Sequence, residues 1–141
     1  MTRVMVFGTF DFIHPGHLHF FEQAKKHGDE LVVVIALDST AEKTKGKKPA
    51  FPEQDRLQMV QALRIVDRAV LGNPDDVYKV VKDARPDIIC LGYDQKFFVD
   101  KLEQKLKEFG LRTKIVRLEA YKPEQYKSSK IKSAVAKSAN Q

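Results

Sequence analysis

A single cysteine, Cys90, stands among 141 residues, so no disulfide can form within the chain. Its strand-like setting predicts a buried structural thiol. Long apolar runs are missing too. Leu31-Val32-Val33-Val34-Ile35 and Ile88-Ile89-Cys90-Leu91 fall far short of the roughly 18 residues that a membrane span needs. The N-terminal apolar stretch turns polar by Asp11, too soon for a signal peptide's apolar region, which predicts a cytoplasmic protein that engages no membrane. There is no internal repeat, linker or low-complexity tract, and 141 residues suit one domain spanning 1–141. Hydrophobic residues at 43% and charged ones at 31% exclude a disordered chain.

Acidic residues are the scarcer charge, 19 against 25 basic, and the net +6 is unevenly spread. Residues 41–50 carry +3 and residues 120–141 carry +4, leaving −1 for the remainder. Two basic segments on a near-neutral body suit a compact polyanion such as a triphosphate. A nucleic-acid binder usually shows a broader stripe, so no nucleic-acid partner is expected.

Strand and helix signals alternate. Strands are expected at Arg3–Gly8, Glu30–Leu37, Arg68–Leu71, Asp87–Leu91 and Thr113–Leu118. Helices are expected at His17–His27, closed by Gly28, at Glu53–Arg64 with Leu57, Val60 and Leu63 inward, and at Asp75–Ala84. Two more are expected at Val99–Phe109, capped by Gly110, and at Ser128–Ala136. Ala41–Phe51 reads as a lysine-rich loop. The pattern predicts an α/β fold: a Rossmann-like, doubly wound, five-stranded parallel sheet with helices on both faces. Ligands of such sheets bind beyond the carboxyl ends of the strands, which singles out residues 8–17, 38–48, 92–95 and 119–129.

The first of these loops runs Gly8-Thr9-Phe10-Asp11-Phe12-Ile13-His14-Pro15-Gly16-His17. It is not GxGxxG, so the dinucleotide fingerprint fails. Two histidines three residues apart flank Pro-Gly where a helix begins. Pro15 suits the first helical turn, Gly16 permits close approach of a ligand, and the helix start offers free N–H groups to phosphate. His14 and His17 can then act as phosphate donors. Chelation of zinc by the pair is the competing reading. It needs at least a third ligand, whereas Cys90 is remote and His19 points elsewhere on the helix.

This loop matches in full the signature G-T-F-D-x-x-H-x-G-H, and the chain resembles the HxGH nucleotidyltransferases over its whole length. The resemblance implies transfer of a nucleotidyl group from a nucleoside triphosphate, with pyrophosphate released. A second marker is Lys127-Ser128-Ser129-Lys130-Ile131-Lys132. It also resembles the KMSKS element of class I aminoacyl-tRNA synthetases, for which 141 residues leave too little room.

Within the superfamily, the archaeal-type FAD synthases are the nearest likeness. The resembling stretches are Leu37-Asp38-Ser39-Thr40, Lys45-Gly46-Lys47-Lys48-Pro49, Arg85 through Gln95, and Tyr121 ahead of Ser128-Ser129. The resemblance implies nucleotide contacts at Thr9, Phe10, His14, Pro15, Gly16, His17, Asp94 and Tyr121, and it implies a homodimer. His14, His17 and Lys45 are the expected catalytic groups, with the Ser128-Ser129 backbone binding phosphate. No resident metal ligand is expected among these residues; a divalent ion, Mg²⁺, would come with the triphosphate. ATP and FMN are the expected substrates, with Phe12, Tyr93, Phe97 and Phe98 as candidates to cover the flavin. Two alternatives stay open: a cytidylyltransferase acting on glycerol 3-phosphate or a similar phosphate, and a nucleotide- or RNA-binding module without turnover. Arg56 is expected to pair with neighbouring helix carboxylates.

Overall fold

A computed structural model describes residues 1–93, 95 and 99–119. Ten elements follow one another: β1 (Arg3–Gly8), α1 (Pro15–Lys25), β2 (Glu30–Ile35), α2 (Asp38–Lys45), α3 (Glu53–Gln61), β3 (Arg68–Leu71), α4 (Lys79–Ala84), β4 (Ile88–Leu91), α5 (Val99–Glu108) and β5 (Lys114–Arg117). The strands form one sheet in the order β3-β2-β1-β4-β5, and all four pairings are parallel.

Side-chain alternation divides the interior between the two faces of this sheet. Val4, Val6, Leu31, Val33 and Ile35 pack with Phe21 and Ala24 of α1 and Val60 of α3. Their neighbours Met5, Val32 and Val34 point the other way, onto Val81 of α4 and Leu102 and Leu106 of α5. The unbroken apolar run of β2 is thus explained, because both faces of a covered parallel strand are dry. Cys90 is buried, and burial pushes its thiol up to about 11, as expected of a structural residue. Among the described residues no helix is long and apolar enough to cross a membrane.

Several element ends shift by one to three residues, with α3 ending at Gln61 and β2 at Ile35, and three larger differences from expectation have physical reasons. The stretch read as a loop from Ala41 is largely helical: α2 reaches Lys45 and is closed by Gly46 in the left-handed conformation at φ 79°. Its lysines face solvent and only Ala41 is buried, so it lacks the apolar stripe that marks most helices. Gly28 does not cap α1, whose C-cap is Lys26 in ordinary helical geometry. A Cβ on Gly28 would instead come within 2.7 Å of the Thr2 carbonyl oxygen and of Val4, so a close approach to β1 is what requires glycine there. The helix expected from Asp75 starts only at Lys79, because the Asn73 side chain accepts the N–H groups of Asp75 and Asp76 in a turn. Gly110 does end α5 at φ 70°. The expected final helix at Ser128–Ala136 lies outside the described residues.

β1 lies between β2 and β4, and the chain reverses its direction of winding there. The crevice of such a sheet opens at the carboxyl ends of those strands.

Candidate active site

The loop leaving β1 enters α1 at that crevice. His14 is the N-cap of α1, with extended backbone, and Pro15 is the first helical residue. The Gly16 N–H donates to His14 Nδ1 at 3.1 Å, which satisfies one orphan donor of the helix start. It also sets the imidazole's protons: with the Nδ1 lone pair engaged, the neutral ring carries its hydrogen on Nε2. One turn on, His17 stacks on His14 with ring centroids 3.9 Å apart. His17 Nδ1 is buried and makes no hydrogen bond of good geometry among the described residues.

Both histidines are held neutral. Burial lowers the pKa of His14. His17 is pushed down to about 3, first by burial, then by His14 and by the Lys45 ammonium, with the Phe12 carbonyl pulling the other way. Lys45 therefore stands close enough to act on His17 electrostatically, though on the last turn of α2 and not on a flexible loop.

The side chains of Phe10 and Asp11 brace the loop. Phe10 has a left-handed backbone, φ 53°, and its ring is buried, 6% exposed, against His17 and Phe21. A Cβ on Gly8 would lie 2.5 Å from that ring, which accounts for the first glycine of the loop. With its ring in the core, Phe10 has only its main chain to offer a nucleotide. Asp11, 5% exposed, accepts the N–H groups of Ala50 and Phe51 at 2.7 and 2.9 Å. It thereby ties the histidine loop to the segment that follows α2.

Arg56 pairs, as expected, with a carboxylate of a neighbouring helix, that of Asp38 at the start of α2. It is also 1% exposed and serves three further partners. It donates to the carbonyls of Phe51, Thr9 and Ala36 and to Asp38 Oδ1, all at 2.7–2.9 Å. One side chain thus joins the motif loop at Thr9, the end of β2, the start of α2 and the start of α3. Its position was readable, since residue 56 lies one helical turn before Val60 on the inward stripe. Four uncommitted carbonyl and carboxylate oxygens converging on it were not readable.

On the other flank, Gln95 Nε2 donates to the Phe7 carbonyl and Arg117 donates to the carbonyls of Gly92 and Gln95. These bonds hold the loop after β4 against the end of β1. Asp94, Phe97, Phe98, Tyr121, Ser128 and Ser129 lie outside the described residues. Among the described residues no group of three or more His, Cys, Asp or Glu side chains comes together, so the zinc reading finds no third ligand there.

This arrangement of a helix start, two stacked neutral imidazoles and an ammonium can be compared with known proteins. The cytidylyltransferase-like family matches residues 5–134. The chain belongs to that family. Among its curated relatives, the FAD synthase of Methanohalophilus mahii is 53% identical over 118 residues, covering 84% of this chain and 82% of the relative. The FAD synthase of Aciduliprofundum boonei is 54% identical over 121 residues, covering 86% and 80%. In structure the chain is similar to a lipopolysaccharide core biosynthesis protein from Thermoplasma volcanium, with a TM-score of 0.80 and 50% identity over 86% of this chain and 98% of that one. The pantoate-beta-alanine ligase of Francisella tularensis, 18% identical with a TM-score of 0.58, shares the fold. As a cytidylyltransferase-like protein with FAD synthases as close relatives, this is a nucleotidyltransferase whose family name does not by itself specify the base.

Proposed function

We propose that this nucleotidyltransferase transfers AMP from ATP to FMN, giving FAD and pyrophosphate. The observation that carries the reading is the pair of stacked, neutral histidines at the start of α1, with the Lys45 charge acting on His17. About half-identical FAD synthases supply the substrates. An oxygen of the FMN phosphate attacks the α-phosphorus of ATP; the bond from that phosphorus to the bridging oxygen breaks, and pyrophosphate leaves with the electron pair. The nucleophile arrives as a phosphate anion, so no strong general base is required. What the chain must supply is position and charge neutralisation.

His14, with Nδ1 accepting from Gly16, carries its hydrogen on Nε2, the group assigned in this proposal to a phosphate oxygen. His17 is buried and neutral before substrate arrives, so a phosphate oxygen meets a donor already stripped of water. Such donors are worth most where little solvent remains. Lys45 adds a full charge at the same place. Thr9, Pro15 and Gly16 shape the loop, and Asp94, Tyr121, Ser128 and Ser129 are the proposed remaining nucleotide contacts. Mg²⁺ would be held mainly by the triphosphate, neutralising part of its charge. The cytoplasmic setting and a homodimer belong to the same proposal.

The test offers the purified protein ATP or CTP, each with FMN or glycerol 3-phosphate, in the presence of Mg²⁺. FAD from ATP and FMN alone is the expected result. A CDP-linked product without FAD would refute the reading in favour of a cytidylyltransferase.

A further inference from the structure

Phe51 is an exposed residue whose backbone is clamped by two buried charged side chains. It is 43% exposed, while Asp11 and Arg56 are 5% and 1% exposed. Its N–H donates to Asp11 Oδ1 at 2.9 Å, and its carbonyl accepts from Arg56 Nε at 2.9 Å. A single exposed phenylalanine needs no explanation, but one fixed from both sides by buried ions is a positioned ring. It meets Phe12 with centroids 5.3 Å apart and planes inclined at 68°. Phe12 in turn belongs to the histidine loop, and its carbonyl acts on His17. Phe12 thus links the histidine loop to Phe51 through a ring contact.

We infer that Phe12 and Phe51 form the seat for the flavin ring of the acceptor, an inference that rests on the proposed adenylation of FMN. FMN carries a phosphate at one end of a polyol chain and a broad, flat, largely apolar ring at the other. With the phosphate at His14, His17 and Lys45, the ring needs an apolar surface a short chain-length away. Two phenyl rings set at 68° suit a third flat ring that covers one of them and abuts the edge of the other, arrangements aromatic groups favour.

Phe51→Ala should raise KM for FMN about tenfold, the scale for removing one stacking partner, and leave KM for ATP unchanged. The chain contains no tryptophan and four tyrosines, so Phe51→Trp installs a single tryptophan at the corner of the two rings, excited selectively at the red edge of its absorption. Its emission should be quenched by FMN and not by ATP or glycerol 3-phosphate. An unchanged KM for FMN in folded Phe51→Ala would overturn the inference. So would a rise confined to KM for ATP, which would assign the corner to adenine. If the unmodified protein makes no FAD, the functional reading fails instead, while an FMN affinity weakened about tenfold by Phe51→Ala, measured by binding alone, still tests the corner.

Discussion

Holding His17 neutral in the folded protein has a cost that appears when the pH is lowered. The ring titrates at 6.5 in an unperturbed chain and at about 3 in the folded one, chiefly because it is buried. Between those values the unfolded state binds one more proton than the native state, so stability falls as pH falls, by about 1.4 kcal/mol per unit. This contribution is fully present above 6.5 and is lost progressively towards 3. From pH 8 to pH 5 the loss from this one ring is about 2 kcal/mol, and it hardly depends on how far below 5 the folded pKa lies. His14, whose pKa burial also lowers, adds to it with the same sign. The lowered pKa of Asp67 acts only as pH falls through the carboxylate range, below this window. Urea unfolding at pH 8 and pH 5 should therefore show a shallower pH dependence in His17→Asn than in the unmodified protein, by up to about 2 kcal/mol. Ring resonances of His17, followed by NMR, should not titrate between pH 8 and pH 5. A His17 midpoint near 6.5 in the folded protein, or the same pH dependence in both proteins, would refute the argument.

Other expectations follow from single contacts. His17→Ala should lower turnover by about two to three orders of magnitude with the fold intact, the scale of one lost transition-state donor; near-normal turnover in steady-state assays would remove His17 from the reaction. Lys45→Ala should lower kcat/KM for ATP by about tenfold or more, as loss of a charge-assisted contact does, and should raise the His17 pKa; if both stay put, the lysine is only a solvated charge. Arg56→Met strands three carbonyls and the Asp38 carboxylate and should cost about 3 kcal/mol or more in urea unfolding; a loss below about 1 kcal/mol would show that water replaces the guanidinium. Gly8→Ala drives a methyl group into the buried Phe10 ring and should cost about 1–3 kcal/mol, to be checked in the same assay.

The strands were legible because burial of a parallel sheet on both faces leaves a local mark. Arg68–Leu71 coincides with its expected bounds, and the run from Leu31 to Ile35 could belong only to a covered interior strand. The histidine loop was legible for a similar reason: Pro15, Gly16 and two histidines at a helix start are one local device, and its cap bond spans only two residues. Helix α2 was harder to read, since a solvent-facing helix with one buried alanine has almost no apolar period, and its left-handed Gly46 was the remaining clue.

From sequence by itself came the alternating order of elements, the parallel sheet and the helix start at His14-Pro15-Gly16. Each rests on residues within about one helical turn or one strand of one another, where periodicity and capping act. Tertiary structure alone decided that Arg56 is a buried tie across four segments, that Asp11 is a support, that Phe10 turns its ring into the core, and that the Lys45 charge acts on His17. Those facts depend on groups 5 to 47 residues apart meeting in space. A guanidinium or a carboxylate carries no mark of its partners until the fold has taken water away from it, and then every remaining hydrogen bond must be made within the protein.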